Sequence, residues 1–474
     1  MRRSQFLRAL CSSMIAFTCL CAWADSSSSQ PTQLKNAYRF ERDQWIYVHL
    51  EGTPRQIGYQ HGWLLATEIA DGLTAVKLDE THSTGRPWSF FRQTARQVLW
   101  PHIEAEYREE LQGITAGALA HGDKLDLWDV VALNAHEEVP DYYVPWLDKQ
   151  QKRAHAPRLR APGNCSAFVA TGAWTKDHQP VIVHNDWTDY MIGERWRIIF
   201  DITPTHGQRI LMDGFPGMIA SGDDYGINGA RLAVTETTIT GYASFDPHQT
   251  PEFVRARKAL QYATSIDEYV SIFLAHNNGG YANDWLLADY KTGEIARFEV
   301  GLKLHRVWRS KDGFFAGANY PSDPEFIKAE TDFDPANAAS SPNARRKRWE
   351  AWMEQNKGQI DVARAQAVLA DHWDSFEGKE QASERSICGH IHTSPRGVPE
   401  WEWPAYAPAG AVNAKVADSA LVNAFAFKAR EGLPCGEDFL VKPFLEAHPE
   451  FLWQSPLLHD FKGNPWTEFK AGDR

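Results

Sequence analysis

The chain has 474 residues, 43% of them hydrophobic, enough to bury a large core as one or several domains. A net charge of −12 argues against a phosphate-binding surface, so no nucleic-acid partner is expected. Its 19 Trp are chiefly core area, and the surplus suits apolar acyl or ring-bearing ligands.

At the N-terminus Arg2 and Arg3 lead into an apolar stretch from about Leu7 to Leu20, followed by Ala22-Trp23-Ala24. This pattern reads as an export signal over residues 1–24, too short to span a bilayer. No later stretch approaches 18 uninterrupted apolar residues, so the expected product is exported (periplasmic, extracellular or in a lysosome-like compartment) and has no stable membrane anchor. Oligomeric state is left open.

A polar run, Ser26 to Gln33, precedes a strand at Trp45–Leu50. Helical patterns follow at Gln56–Ile69 and Glu104–His121, the second stopped by Gly122. Lys149, Lys152, Arg153, Arg158 and Arg160, with Pro157 and Pro162, then form a basic linker over about 147–164, an exposed, protease-accessible segment. Beyond it come strands at Cys165–Thr171, Pro180–His184, Trp196–Ile202, Arg209–Met212 and Arg231–Thr238, a helix at Pro251–Ala263, and a hairpin of Asp284–Tyr290 with Glu294–Val300. Helices return at Ala344–Gln355 and Asp361–His372. Central strands flanked by helices predict a layered α+β fold with antiparallel sheet. Residues 25–164 form an N-terminal part and 165–474 a C-terminal part, both contributing to one catalytic domain.

Cysteine usage points to one residue. Cys11, Cys19 and Cys21 leave with the signal, and Cys165, Cys388 and Cys435 remain, an odd number for an oxidising compartment. A Cys388–Cys435 disulfide would leave Cys165 free. Gly163-Asn164-Cys165-Ser166-Ala167-Phe168 opens a strand directly after the basic linker. Cleavage between Asn164 and Cys165 would give Cys165 both a thiol and an α-amine of pKa about 8, nucleophile and base in one residue. A turn and a returning strand bring His184-Asn185-Asp186-Trp187 beside it, where His184, Asn185 and Asp186 orient the amine and hold water.

Other classes fit parts of the chain. His390-Ile391-His392 with Cys388, or His136-Glu137-Glu138, offers zinc ligands for a metallohydrolase, but without the helical His-Glu-x-x-His spacing. A non-catalytic secreted protein with a Trp-rich ligand pocket is a further alternative. The preferred reading has no metal and no cofactor.

Cys165-Ser166-Ala167 followed by His184-Asn185-Asp186-Trp187 resembles the phospholipase B-like proteins, as do Leu232–Thr238 and Asn278–Trp285. Gly52-Thr53-Pro54 with Ile57-Gly58-Tyr59-Gln60-His61-Gly62, Leu133-Asn134-Ala135, Ser341 with Arg345 and Arg348, Asp371-His372, and Ile387-Cys388-Gly389-His390 resemble the penicillin acyltransferase family. Both families are N-terminal-nucleophile hydrolases, and the resemblance runs from about residue 45 to 395. It implies a four-layer αββα sandwich and an autoproteolytically activated enzyme cleaving the amide or ester bond of a small acyl-amide or lipid substrate. In its terms Cys165 is the nucleophile, Asn283 an oxyanion donor, Thr237 or Thr238 a second donor or pocket wall, and Asp186 the acid near the amine. His184 and Trp187 match the phospholipase B-like pattern, and Arg345 is an arginine near the site. Asn164 departs from the glycine usual before the acyltransferase cysteine.

Overall fold

The computed structural model describes residues 32–151, 164–223 and 225–474. The expected signal at 1–24 lies outside the described residues, as does the linker from 152 to 163. In chain order the strands are β1 (Tyr38–Arg42), β2 (Trp45–Gly52), β3 (Asn164–Thr171), β4 (Val181–Asp189), β5 (Ile198–Pro204), β6 (Ile210–Gly214), β7 (Gly226–Asn228), β8 (Leu232–Thr238) and β9 (Asn283–Asp289). They continue as β10 (Glu294–Val300), β11 (His305–Ser310), β12 (Gly313–Gly317), β13 (Trp373–Asp374), β14 (Lys379–Glu380), β15 (Ala409–Ala417), β16 (Ala426–Glu431) and β17 (Thr467–Lys470).

Two large sheets result. One has nine strands in the order β1-β2-β5-β6-β7-β8-β9-β10-β11, the other six in the order β12-β3-β4-β15-β16-β17, and β13 and β14 form a separate small hairpin. The parallel pairing of β2 with β5 joins residues from either side of the basic linker in one sheet.

Side-chain alternation assigns the layers. In β2, Trp45 and Tyr47 point to the second sheet, whereas Ile46, Val48 and Leu50 point to helices. Ala167, Val169 and Ile182 of the six-stranded sheet meet Tyr47, Ile199, Ala233 and Leu286 of the nine-stranded one. On the far side of the nine strands lie helices Pro54–Leu64, Ala66–Thr84, Ala105–His121 and Glu252–Tyr262. Outside the six strands, Phe168, Ala170, Val181 and Val183 pack on Trp349, Trp352 and Met353 of helix Ser341–Asn356 and on Val368 and Leu369 of helix Val362–Leu369. Helix, sheet, sheet, helix is the expected αββα sandwich.

Two of the expected elements differ by more than three residues at one end. The helix expected at Gln56–Ile69 begins at Pro54, fixed by a Thr53–Gln56 capping box, and ends at Leu64; a second helix runs on from Ala66 to Thr84. Strand β4 continues through His184-Asn185-Asp186 to Asp189, because β3 and β15 pair with it on both sides and satisfy its backbone. Residues Gly58 and Gly62 are packing residues. A Cβ on Gly62 would stand 1.9 Å from the Ile114 carbonyl, so two helices cross here backbone to backbone.

Several carboxyls are buried in this frame. Desolvation raises Glu138 and Glu299 to about 7, and Glu252 and Glu431 to about 8. These folded values lie above the ordinary value of 4.5, so the native state keeps protons that the unfolded chain has lost. Their contribution to stability is full below about pH 4.5 and is lost as pH rises through about 7 to 8. Asp201, drawn down to about 2, acts in the opposite sense at strongly acid pH, and His61, held down to about 3 by burial, opposes the carboxyls once pH falls below about 6.5. Between about pH 6.5 and 8 the carboxyls titrate while that imidazole stays neutral in both states, so the melting temperature should be higher near pH 6.5 than near pH 8; thermal scans showing the reverse order would contradict this assignment. Phe168 stands edge-on to Trp349 at 5.5 Å, and Phe168→Ala should cost about 3–5 kcal/mol in chemical denaturation.

Candidate active site

Strand β3 begins beside the basic linker and pairs antiparallel with β4, setting Cys165 opposite Asp186 and Ala167 opposite His184. By alternation these four side chains share the face turned toward the nine-stranded sheet. Cys165 Sγ lies 3.6 Å from Glu236 Oε1 of β8, and the sulfur, a His184 ring nitrogen and a Glu236 oxygen all fall within 4.8 Å of one another. The Tyr281 hydroxyl donates to Glu236 Oε1 at 3.3 Å and lies 3.2 Å from Thr238 Oγ1.

The backbone of Cys165 is held separately from its thiol. Its N–H donates to Asn319 Oδ1 at 3.2 Å, while Asn319 Nδ2 donates to the Thr238 carbonyl at 2.9 Å, tying the two sheets together. Asn319 follows β12 with φ of 66°, a conformation asparagine tolerates better than most side chains. Arg345 of helix Ser341–Asn356 donates to the Cys165 carbonyl at 2.7 Å, Ser166 Oγ at 3.0 Å and Asn319 Oδ1 at 2.8 Å. Its guanidinium lies 4.2 Å from the centre of the Trp187 ring. Opposite Thr238 in the ladder stands Asn283, whose amide nitrogen and oxygen are buried with no hydrogen-bond partner among the described residues. Thr237 Oγ1, both His184 nitrogens and Asp186 Oδ2 share that condition. Buried polar atoms are rarely left unpaired, so such a concentration marks a place where something else is bound or made.

Burial governs the electrostatics. It pushes the Cys165 thiol well up, with Glu236 and Asp186 adding to the effect. Burial also raises the Glu236 carboxyl, reinforced by Glu137, and the Asp186 carboxyl, reinforced by Asp223. Burial and Lys415 pull the His184 imidazole far below its usual value, so it is neutral. Lys415, opposite His184 in β15, is buried with its ammonium 2.7 Å from Asp213 and paired also with Asp223. A cation fixed by two carboxyls therefore lies behind the site.

Cys165, His184, Asp186, Asn283, Thr237, Thr238, Trp187 and Arg345 thus gather at one end of the two sheets. Asn185 does not join them. It pairs with Ser166 on the opposite face of the sheet, and its Nδ2 donates to the carbonyls of Leu369 and Ile387, so it anchors loops rather than the amine. Glu236 and Tyr281 lie in the resemblance motifs without a role read from sequence, and Asn319 carries no sequence signal at all. The Asn164–Cys165 bond opens β3, where the Asn164 backbone pairs with Trp187.

The proposed metal ligands are rearranged. His392 Nδ1 meets the Tyr190 hydroxyl at 2.8 Å, and His136 packs on Trp196 and Phe215. Neither belongs to a ligand cluster among the described residues. Cys388 and Cys435 are free thiols rather than a disulfide. A cleft of about 210 Å³, lined by His82, Trp403, Pro408 and Trp453, contains none of the residues around Cys165.

The phospholipase B family model matches residues 88–309. Putative phospholipase B-like 1 of Caenorhabditis elegans is 26% identical over 331 residues, covering 61% of this chain and 57% of the relative, so little more than half of that protein is spanned. Among solved structures, penicillin V acylase from Agrobacterium tumefaciens aligns at 11% identity with a TM-score of 0.33, covering 56% of this chain and 83% of that one. A single-residue variant of conjugated bile acid hydrolase from Clostridium perfringens aligns at 12% identity and a TM-score of 0.33, over 56% of this chain and 89% of that one. The stretch matched by the family model includes Cys165, His184, Asp186, Trp187, Glu236 and Asn283, and Asn319 and Arg345 lie beyond it.

Proposed function

We propose that this chain is the precursor of an exported N-terminal-nucleophile hydrolase, activated by cleavage between Asn164 and Cys165 and acting on an acyl bond. One observation carries the reading. The nitrogen of Cys165 is held by Asn319 and its sulfur faces His184 and Glu236, while the unpaired amide of Asn283 stands across the ladder from Thr238, two residues beyond Glu236.

Activation is an N-to-S acyl shift. The Cys165 sulfur adds to the Asn164 carbonyl carbon, with neutral His184 as the base at hand, and the proton passes to the departing Cys165 nitrogen. Water then hydrolyses the thioester, leaving a carboxylate on Asn164 and a free thiol and α-amine on Cys165.

In turnover the amine accepts the thiol proton and the sulfur attacks the substrate carbonyl. Asn283 Nδ2 donates to the developing oxyanion, Asp186 balances the α-ammonium across the strand pair, and that ammonium protonates the leaving amine or alcohol. Water, deprotonated by the amine, hydrolyses the acyl-enzyme and restores the thiol. Arg345 and Asn319 position Cys165 throughout.

The substrate is a small acyl amide with an apolar or aromatic acyl group. A phospholipid ester is the second reading, favoured by the phospholipase B match. Turnover of N-acyl amines against phospholipids of the same acyl chain separates the two.

Active material should yield Cys-Ser-Ala-Phe as a new N-terminal sequence. Cys165→Ala should give one uncut chain without turnover, and normal fragmentation of that variant would overturn the mechanism. Asn283→Ala should lower kcat by about two to three orders of magnitude with KM little changed; an unchanged kcat would remove Asn283 from the oxyanion site.

A further inference from the structure

Four side chains that the hydrolytic mechanism does not use converge where three connections meet. His372 follows helix Val362–Leu369, Cys388 and His390 lie on the approach to β15, and Cys435 follows β16. Their ligand atoms all lie within 4.8 Å of one another. His390 Nε2 is 3.1 Å from His372 Nε2, 3.3 Å from Cys388 Sγ and 3.6 Å from Cys435 Sγ. A ring nitrogen has one proton or one lone pair, so hydrogen bonding can satisfy only one of these three neighbours.

We propose that His372, Cys388, His390 and Cys435 form a tetrahedral structural site for one zinc ion. Zinc bonded to nitrogen at about 2.05 Å and to sulfur at about 2.3 Å sets tetrahedral edges of about 3.3 Å between nitrogens and about 3.6 Å between nitrogen and sulfur. The three separations from His390 Nε2 lie within about 0.3 Å of those edges, and the two imidazole planes stand at 87° with their Nε2 atoms 3.1 Å apart. Two thiolates and two imidazoles are a donor set that selects zinc over magnesium or calcium. A disulfide would instead use both sulfurs at a bond length of about 2.05 Å and leave two imidazole nitrogens facing each other with nothing between them.

The loop is set for such a role by its backbone. The Cys388 N–H donates to the Asp371 carbonyl at 3.0 Å, the His390 N–H to the Ser383 carbonyl at 3.0 Å, and Ser386 Oγ to the Cys388 carbonyl at 2.8 Å. Cys388 and His390 are buried and His372 and Cys435 half-buried, a site nearly closed to substrate. Between two of the ligands, Gly389 lies against Trp187 so closely that a Cβ would stand 2.4 Å from the indole. Trp187 in turn lies under Arg345, which holds the Cys165 carbonyl. Zinc here pins the wall behind the nucleophile and takes no part in the reaction.

The test is metal analysis of the purified full-length protein, with peptide mapping of its thiols under non-reducing conditions. One equivalent of zinc per chain should survive gel filtration, and cobalt(II) exchanged into the protein should show thiolate charge-transfer and tetrahedral ligand-field bands. Cys435→Ser and His372→Ala should each bring zinc to background, whereas Cys165→Ala should retain the full equivalent. That last arm keeps the inference separate from the hydrolase reading, which can fail with zinc occupancy unchanged. A zinc-free protein carrying a Cys388–Cys435 disulfide would overturn the site, as would full zinc occupancy in Cys435→Ser. Should the ligand variants fail to fold, the cobalt spectrum of the unaltered protein decides, and absence of thiolate charge transfer refutes the proposal.

Discussion

Arg345 reaches from the outer helix layer to the backbone of Cys165 at the end of β3, and the geometry of the site depends on that contact. Its guanidinium grips the Cys165 carbonyl, Ser166 Oγ and Asn319 Oδ1 while one face rests on Trp187. Asn319 is thereby oriented with its oxygen to the Cys165 nitrogen and its amide to the Thr238 carbonyl. A lysine could not reproduce this, because a compact ammonium lacks the planar fork that serves several acceptors while stacking on a ring. The positions of thiol and nitrogen are consequences of one buried cation.

Burying so much polarity between two sheets is costly unless each charge has a partner. Lys415 meets Asp213 and Asp223, and Arg297 meets Asp284 in a two-pronged ion pair. Around Cys165 the solution differs: burial drives the thiol, His184, Glu236 and Asp186 toward their neutral forms. The ionised pairs fix the frame, and the neutral cluster is where protons can move.

The layered fold is legible because strands and helices differ in apolar period, and the sequence shows both clearly. Cys165 is legible from its place after a basic linker and from the odd cysteine count, and the β3–β4 register then determines which neighbours face it. The same period-two rule removes Asn185, whose side chain must point away if Asp186 points in. Asn319 is not legible, since its place depends on β12 pairing with β3, a strand far earlier in the chain. Nor is the His372–Cys435 convergence: His390-Ile391-His392 has the spacing of a metal pair, yet the loop turns His392 toward Tyr190. Local spacing cannot reveal ligands brought together by three separate connections.

An uncut chain of this design should be dormant for a physical reason. A thiol buried beside Glu236 and Asp186 is disfavoured as a thiolate, and its nitrogen is an amide without basicity. Breaking one peptide bond changes the charge balance at that spot. A new α-ammonium beside Asp186 favours an ionised carboxylate across the strand pair and a thiolate on its own residue, while its neutral form supplies the base. The surrounding side chains need not move, because Arg345 and Asn319 already hold the Cys165 carbonyl and nitrogen from separate elements. Activation on this scheme is a change of protonation within a fixed frame, and the rigidity of that frame, with Trp187 and Gly389 packed behind it, is what makes cleavage sufficient.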